Sequence, residues 1–265
     1  MSEPTSDSSA RREPVHVTVP AEGVLLVTLD RPEARNAVNA RLSELVAEAM
    51  DRLDSDPDLR VGILTGAGGT FCSGMDLKAF VRGERPYGGD RGFAGVTVRG
   101  PEKPLIAAVE GYALAGGCEI VLACDLVVAA EGATFGIPET KRGLVAAGGG
   151  LLRLPERIPY HVAMELALTG THVSAARMAE LGLVNRLAPT GGALDAALEL
   201  AAEITANGPL AVRVSKQIVA ESLGWSAEEK WARQSELAAP ISTSADAREG
   251  ATAFAEKRAP IWSGK

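Results

Sequence analysis

Apolar residues alternate with polar ones at Val15, Val17 and Val19, and a second apolar run, Val24 to Leu29, follows a short Ala-Glu-Gly link. This pattern predicts an opening β-hairpin. The period then changes: Leu42, Leu45, Val46, Ala49, Met50 and Leu53 recur at helical spacing, with Asn39 as N-cap and Asp54-Ser55-Asp56-Pro57 as the stop. Short apolar runs at Val61 to Leu64, Leu105 to Val109 and Leu126 to Ala130 are bounded by Gly, Pro or charge and separated by helical stretches, which predicts an α/β fold. Beyond Tyr160 the strand signal fades. Helices are expected at His161 to Leu168, Ala175 to Leu181, Leu194 to Ile204, Leu210 to Leu223 and Ala227 to Leu237. The segment Arg82 to Gly100, with six glycines and four arginines, resists both assignments and reads as a mobile loop or a substrate lid.

Composition narrows the class. At 265 residues, 46% hydrophobic and 23% charged, the chain is globular, and disordered, collagen-like and coiled-coil compositions are excluded. Acidic residues exceed basic ones by 34 to 27, a net charge of −7, which argues against nucleic acid as a partner. Three cysteines without metal-type spacing make a disulfide framework and a zinc site poor readings, so a reducing, cytoplasmic location is expected. Residues 1–14 are polar, lack the apolar run of a signal peptide, and are expected to form a frayed tail. No stretch has the continuous apolar length of a membrane-spanning helix, because Asp125, Glu131 and glycines interrupt the most apolar region.

Two familiar motifs fail. Gly66 and Gly68 begin a GxG after a strand, but Phe71 stands where a dinucleotide fingerprint needs its third glycine, and no P-loop lysine follows. Ser73 lacks the GxSxG frame of a hydrolase nucleophile. More informative is Ile106 to Asp125, where an apolar strand runs through Gly111 into Ala115-Gly116-Gly117 and then a helical segment. Glycines at such a turn let the backbone approach a ligand, and the first N–H groups of the new helix have no internal partner. Glu119 lies about one turn inside that helix, and two readings stand side by side. It is either a first-turn glutamate favoured by the macrodipole or, given its small and apolar neighbours Gly117, Cys118, Ile120 and Val121, a carboxylate facing a confined site. Glu139 follows a strand-like run at Thr134 to Gly136, where helix capping or a surface loop is the plainer alternative. Phe71 to Leu77 forms a third strand-to-helix turn, with Gly74 exposing the N–H of Met75.

Taken together, Asp30-Arg31-Pro32 with Arg35-Asn36-Ala37, Ser73-Gly74-Met75-Asp76-Leu77, the Gly116 to Glu119 block, Pro138-Glu139, and Ala253 to Arg258 resemble the crotonase superfamily in order and spacing. The resemblance runs from about residue 15 to the C-terminus. It implies a spiral of ββα units over 15–205 that carries the active site, and a helical region over 206–265 that builds trimers, commonly paired into hexamers. The implied substrate is an acyl-CoA thioester, with no separate cofactor and no metal. The backbone N–H groups of Met75 and Gly116 would form an oxyanion hole. In the hydratase branch, Glu119 would position and activate water and Glu139 would donate a proton to C2 of a trans-2-enoyl-CoA. CoA would be met by Arg35, Asn36, Ala37, Ser73, Asp76 and Leu77, and by Phe254 and Lys257 at the nucleotide end, often from a neighbouring subunit.

Having both acids sets the chain apart from the isomerase branch, which generally keeps only the acid near Glu139. The stretches Glu139 to Pro155 and Glu249 to Gly264 are also similar to carnitinyl-CoA dehydratases, which leaves a cationic acyl group as an alternative. A non-catalytic acyl-CoA-binding scaffold is a further reading, which the two acids oppose. Two departures stand out: Glu110 where relatives usually carry Asn, and Val145-Ala146-Ala147 where Ile-Pro-Gly is common near the catalytic water.

Overall fold

The structure, a computed structural model, describes residues 13–265. The expected tail therefore lies, up to residue 12, outside the described residues. The predicted hairpin is β1 (Val15–Ala21) and β2 (Val24–Leu29), paired antiparallel with Val17 opposite Val27. Helix α1 (Ala40–Ser55) follows, its Asn39 side chain accepting from the Leu42 N–H at 3.0 Å. The apolar stripe Leu42, Val46, Ala49, Met50 and Leu53 faces the core.

Strands β3 (Val61–Gly66), β4 (Leu105–Val109) and β6 (Leu126–Ala130) then add in parallel to β2. Side chains on a strand alternate between faces. Val61, Ile63, Ile106, Ala108 and Val128 accordingly face Ala197, Leu200 and Ala201 of helix α7 (Ala193–Thr205), while Leu64, Leu105, Ala107 and Val109 face the larger core on the other side. Burial on both faces explains why these strands read as unbroken apolar runs.

Between the long strands the chain visits a second sheet. Helix α2 (Leu77–Val81) leads into the 82–100 segment; β5 (Tyr112–Leu114) and helix α3 (Gly116–Ala123) lie between β4 and β6. After β6 come β7 (Thr134–Gly136), helix α4 (Gly150–Arg157), helix α5 (Tyr160–Thr169), β8 (Val173–Ser174) and helix α6 (Ala175–Glu180). β7 pairs in parallel with β5 and antiparallel with β8. Alternation of β4, β5, β6 and β7 between two sheets is the spiral of ββα units.

The structure extends the sequence reading at several points. β9 (Arg186–Ala188) joins the main sheet beside β6 although the strand signal had faded, because three residues are too few to carry a pattern. α4 is a helix despite beginning at the last of three consecutive glycines and containing Pro155. The C-terminal part is helical as expected, with α8 (Pro209–Glu221), α9 (Lys230–Ser242) and α10 (Ala245–Glu256). α9 starts three residues later than its pattern suggests, and α8 yields to a 3-10 turn at Ser222–Gly224. Val219, Trp231 and Phe254 on these helices are exposed. Lys216 ties α8 to the core, its Nζ 2.7 Å from Asp125 Oδ2 and donating to the carbonyls of Pro101 and Lys103. Among the described residues no helix is long and apolar enough to cross a membrane, and no group of three or more metal-ligating side chains occurs.

Candidate active site

β5 and β7 are parallel neighbours, so the segments leaving their C-terminal ends come together. β5 runs into α3, which carries Glu119; β7 runs into a 3-10 turn, Pro138–Arg142, which carries Glu139. The two turns are joined by the Ala115 N–H donating to the Gly136 carbonyl at 2.9 Å. Both glutamates line one cleft of about 700 Å³.

Glu119 is only 4% exposed, and the Gly150 N–H donates to its Oε1 at 2.9 Å. Burial pushes its carboxyl above the ordinary carboxylate range, while the N–H groups of Gly150 and Gly148 and the charge of Arg153 pull the other way. Gly148 lies so close that a Cβ there would come within 2.6 Å of Glu119 Oε2. Glu139 is half-buried, and its Oε2 finds no hydrogen-bond partner among the described residues. Burial pushes its carboxyl up to about 7, with the Glu119 charge adding to the rise and its own N–H and Arg142 opposing it. One acid is thus held by backbone donors, and the other is half-protonated near neutral pH.

The Phe71 to Leu77 turn is stitched to β5, with the Cys72 N–H donating to Tyr112 O at 2.9 Å and Leu114 N–H to Cys72 O at 3.0 Å. Met75 bridges Val38 through its neighbours, Val38 N–H to Gly74 O and Asp76 N–H to Val38 O, so its own N–H points away from Val38. Gly74, at φ 101°, lies against the start of α3: a Cβ there would sit 2.8 Å from Ala115 Cβ and 3.1 Å from Gly116 N. The N–H groups of Met75 and Gly116 have no acceptor among the described residues, and both residues line the cleft.

Arg35, Ser73 and Leu77 also line it. The structure does not bring the Asn36, Ala37 and Asp76 side chains to its wall. Asn36 is fully buried, accepting from the Arg31 N–H at 2.8 Å and donating to Ala67 O at 2.9 Å and Thr70 O at 2.6 Å. Ala37 is buried, its carbonyl accepting from the Arg31 guanidinium. Asp76 caps α2 through the Ala79 N–H at 3.0 Å and pairs with Arg31 at 2.9 Å. All three brace the turns that carry Arg35 and Met75. Phe254 and Lys257 lie at the end of α10, outside this cleft, with Phe254 86% exposed.

Sequence reasoning missed the Gly148 to Gly150 cradle, although three consecutive glycines were a visible signal, and it missed Phe93, Tyr112 and His172 on the cleft wall. Glu110, the departure before Gly111, sits away from the cleft. Its carboxylate accepts from the Gly191 N–H at 3.1 Å and the Ala193 N–H at 3.0 Å, capping the start of α7. A second cavity of about 350 Å³ shares Glu139 and Val145 with the cleft and is otherwise lined almost wholly by apolar groups of α4 and α5.

The chain is 46% identical over 243 residues to enoyl-CoA hydratase EchA19 of Mycobacterium tuberculosis, covering 89% of this chain and 91% of that protein. It is 43% identical over 250 residues to a carnitinyl-CoA dehydratase of Salmonella typhi, covering 91% and 95%. The crystal structure of enoyl-CoA hydratase EchA1 from Mycobacterium marinum superposes with a TM-score of 0.94 at 61% identity, covering 96% of this chain and all of that one. With the profile of the family Enoyl-CoA hydratase/isomerase matching residues 20–265, and two strand-to-helix turns meeting beneath two acids, the chain belongs to the enoyl-CoA hydratase/isomerase family of the crotonase superfamily.

Proposed function

We propose that this protein is an enoyl-CoA hydratase that adds water reversibly and syn to a trans-2-enoyl-CoA, giving a 3-hydroxyacyl-CoA. The observation that carries the reading is the convergence of Glu119 and Glu139 on one cleft beside the unpartnered N–H groups of Met75 and Gly116. The thioester oxygen accepts from those two N–H groups. Glu119, ionised, takes a proton from water as the water oxygen bonds to C3. The π electrons move toward the thioester oxygen as an enolate and return to C2, which takes the proton of Glu139. Two fixed donors hold the enolate more strongly than the neutral carbonyl, and losing one such donor typically costs roughly 3 kcal/mol. After turnover Glu119 is protonated and Glu139 ionised, so a proton passes between them, or through solvent, before the next cycle. Addition of water changes no net oxidation state, so the reaction calls on no redox cofactor.

Arg35, Ser73 and Leu77 meet CoA. The apolar lining of the adjoining cavity, including Ile137, Leu151, Leu154 and Met164, favours an uncharged acyl chain over a trimethylammonium group. Residues 206–265 act as an oligomerisation region: the exposure of Val219, Trp231 and Phe254 suits burial against further copies in a homotrimer or hexamer, where Phe254 and Lys257 reach a neighbour's CoA. Three buried free cysteines suit a cytoplasmic setting.

The test is to incubate the protein with crotonyl-CoA and follow the absorbance of the conjugated thioester. Rapid loss with 3-hydroxybutyryl-CoA as product supports the reading. No loss from folded protein that binds CoA overturns it for short acyl chains.

A further inference from the structure

Composition marks Arg82 to Gly100 as a mobile loop or lid, yet residues 91–97 are buried without a break. Arg91 is the reason. Its side chain is 1% exposed; Nε donates to Asp51 Oδ1 at 2.9 Å, Nη2 to Asp54 Oδ2 at 2.9 Å, and Nη1 to the Arg99 carbonyl at 3.2 Å. Both aspartates belong to α1. Asp54 also accepts from the Glu102 N–H at 2.8 Å, so it fastens both Arg91 and the exit of the segment. Backbone bonds complete the knot: Val98 N–H to Arg91 O at 2.9 Å, Gly88 N–H to Gly92 O at 2.9 Å, and Ala94 N–H to Pro86 O at 3.1 Å.

Two residues beyond Arg91, Phe93 is buried and lines the cleft. That ring lies against the first residue of α3: a Cβ at Gly116 would meet Phe93 Cζ at 2.5 Å and Cε1 at 2.6 Å. A continuous path of contacts thus leads from α1 through Arg91 and Phe93 to Gly116.

We propose that Arg91 is a positioning residue, whose clamp on Asp51 and Asp54 holds the Phe93 ring against Gly116 and fixes the direction of the Gly116 N–H in the cleft. A buried guanidinium is a costly way to stabilise a loop, since desolvation offsets much of the attraction to its partners. What it does supply is geometry. Its planar fork engages two carboxylates and a carbonyl at once, which the single ammonium of lysine cannot reproduce. The buried stretch from Arg91 to Thr97 therefore serves as a rigid backstop to the oxyanion site. The inference rests on the reading of Gly116 as an oxyanion donor.

The test uses Arg91→Lys and Asp51→Asn in the full chain, with thermal melting as a check on folding. The probe is a cinnamoyl-CoA bearing a 4-dimethylamino group, whose absorbance moves to longer wavelength when its thioester carbonyl is polarised by hydrogen bonds. The expected result is a red shift on binding to the unmodified protein that is diminished in both variants. With crotonyl-CoA, kcat should fall about ten- to a hundredfold while KM changes much less. A purely structural role for Arg91 would lower the melting temperature and leave the red shift of the folded fraction intact. If the unmodified protein shifts the probe and folded Asp51→Asn and Arg91→Lys shift it equally with unchanged kcat, the proposal is overturned alone. If Arg91→Lys does not fold, Asp51→Asn decides. Absence of any shift with the unmodified protein overturns the oxyanion reading of Gly116, and the proposal with it.

Discussion

The N–H of Gly150 donates to Oε1 of Glu119 at 2.9 Å, and Gly148 lies close enough to Oε2 that a methyl group there would overlap it. The triple glycine is therefore a cradle for a carboxylate. Gly148→Ala is expected to displace Glu119 from the water it would orient, lowering kcat with crotonyl-CoA by about a hundredfold with little change in KM. Steady-state kinetics beside a thermal melt check this. Glu119→Gln, which keeps the shape and removes the base, should lower kcat by roughly 10²–10⁴-fold. An unaltered kcat in both would remove Glu119 from the mechanism.

Burial holds the Glu139 carboxyl at about 7, which predicts the same high-pH limb in both directions. Hydration starts with the proton on Glu139 and dehydration with it on Glu119, so each needs one proton on the pair, and kcat in both directions should fall as pH rises above about 7. Glu139→Gln should lower both rates and flatten this limb, measurable by absorbance at the enoyl thioester band across pH 5 to 9.

Stability carries a second signature of the same group. The folded state holds this proton over the interval where the unfolded chain has lost it, between the ordinary glutamate value of 4.5 and about 7. The folded state therefore binds more protons there, and stability falls as pH rises through that window. Partial solvent screening of a half-buried group reduces the effect to about 1–2 kcal/mol. Urea melts of the parent and Glu139→Gln at pH 5 and pH 8 should show the parent losing that amount more than the variant.

Much of this was legible from local pattern. α1 could be read because a helical stripe, the Asn39 cap and a polar stop agree over sixteen residues. α4 could not, since glycines at its start and Pro155 within it contradict helix propensity, and tertiary packing of Leu154 overrides them. Glu119 and Glu139 stood out through motifs, but their meeting depends on the pairing of β5 with β7, each only three residues long and without periodicity. Asn36 shows the converse. It sits in a motif that suggests ligand contact, yet its carboxamide turns inward to bind backbone 31–34 residues away, a relationship that spacing does not encode.

Glu110 offers a control that separates stability from chemistry. Its partners Gly191 and Ala193 are 81 and 83 residues distant, so its role is invisible in the sequence. Glu110→Ala removes the acceptor for two N–H groups at the start of α7, a loss of about 1–2 kcal/mol by analogy with helix caps. The expected outcome is a lower denaturation midpoint with kcat and KM unchanged. A change in kcat comparable to that of Gly148→Ala would mean that the cap communicates with the cleft.

Arg35 and Asn36 are neighbours with opposite duties, and paired substitutions should separate them. Arg35 lines the cleft with a left-handed backbone, φ 51°, on a turn that Asn36 holds by three hydrogen bonds. Arg35→Ala removes a cation from the wall without opening the core, so KM for crotonyl-CoA should rise about tenfold, with kcat and thermal stability close to the parent. Asn36→Ala instead removes the partner of one part-buried N–H and two part-buried carbonyls, so stability should fall by about 1–3 kcal/mol. Because the Ser73 N–H donates to the Arg35 carbonyl at 3.0 Å, the slackened turn also disturbs the segment that carries Met75. Loss of stability in Asn36→Ala should therefore come with a lower kcat in the fraction that remains folded. Isothermal titration with CoA and urea melts on both variants decide the matter: weakened CoA binding in Asn36→Ala with full stability would mean that Asn36 meets the ligand directly.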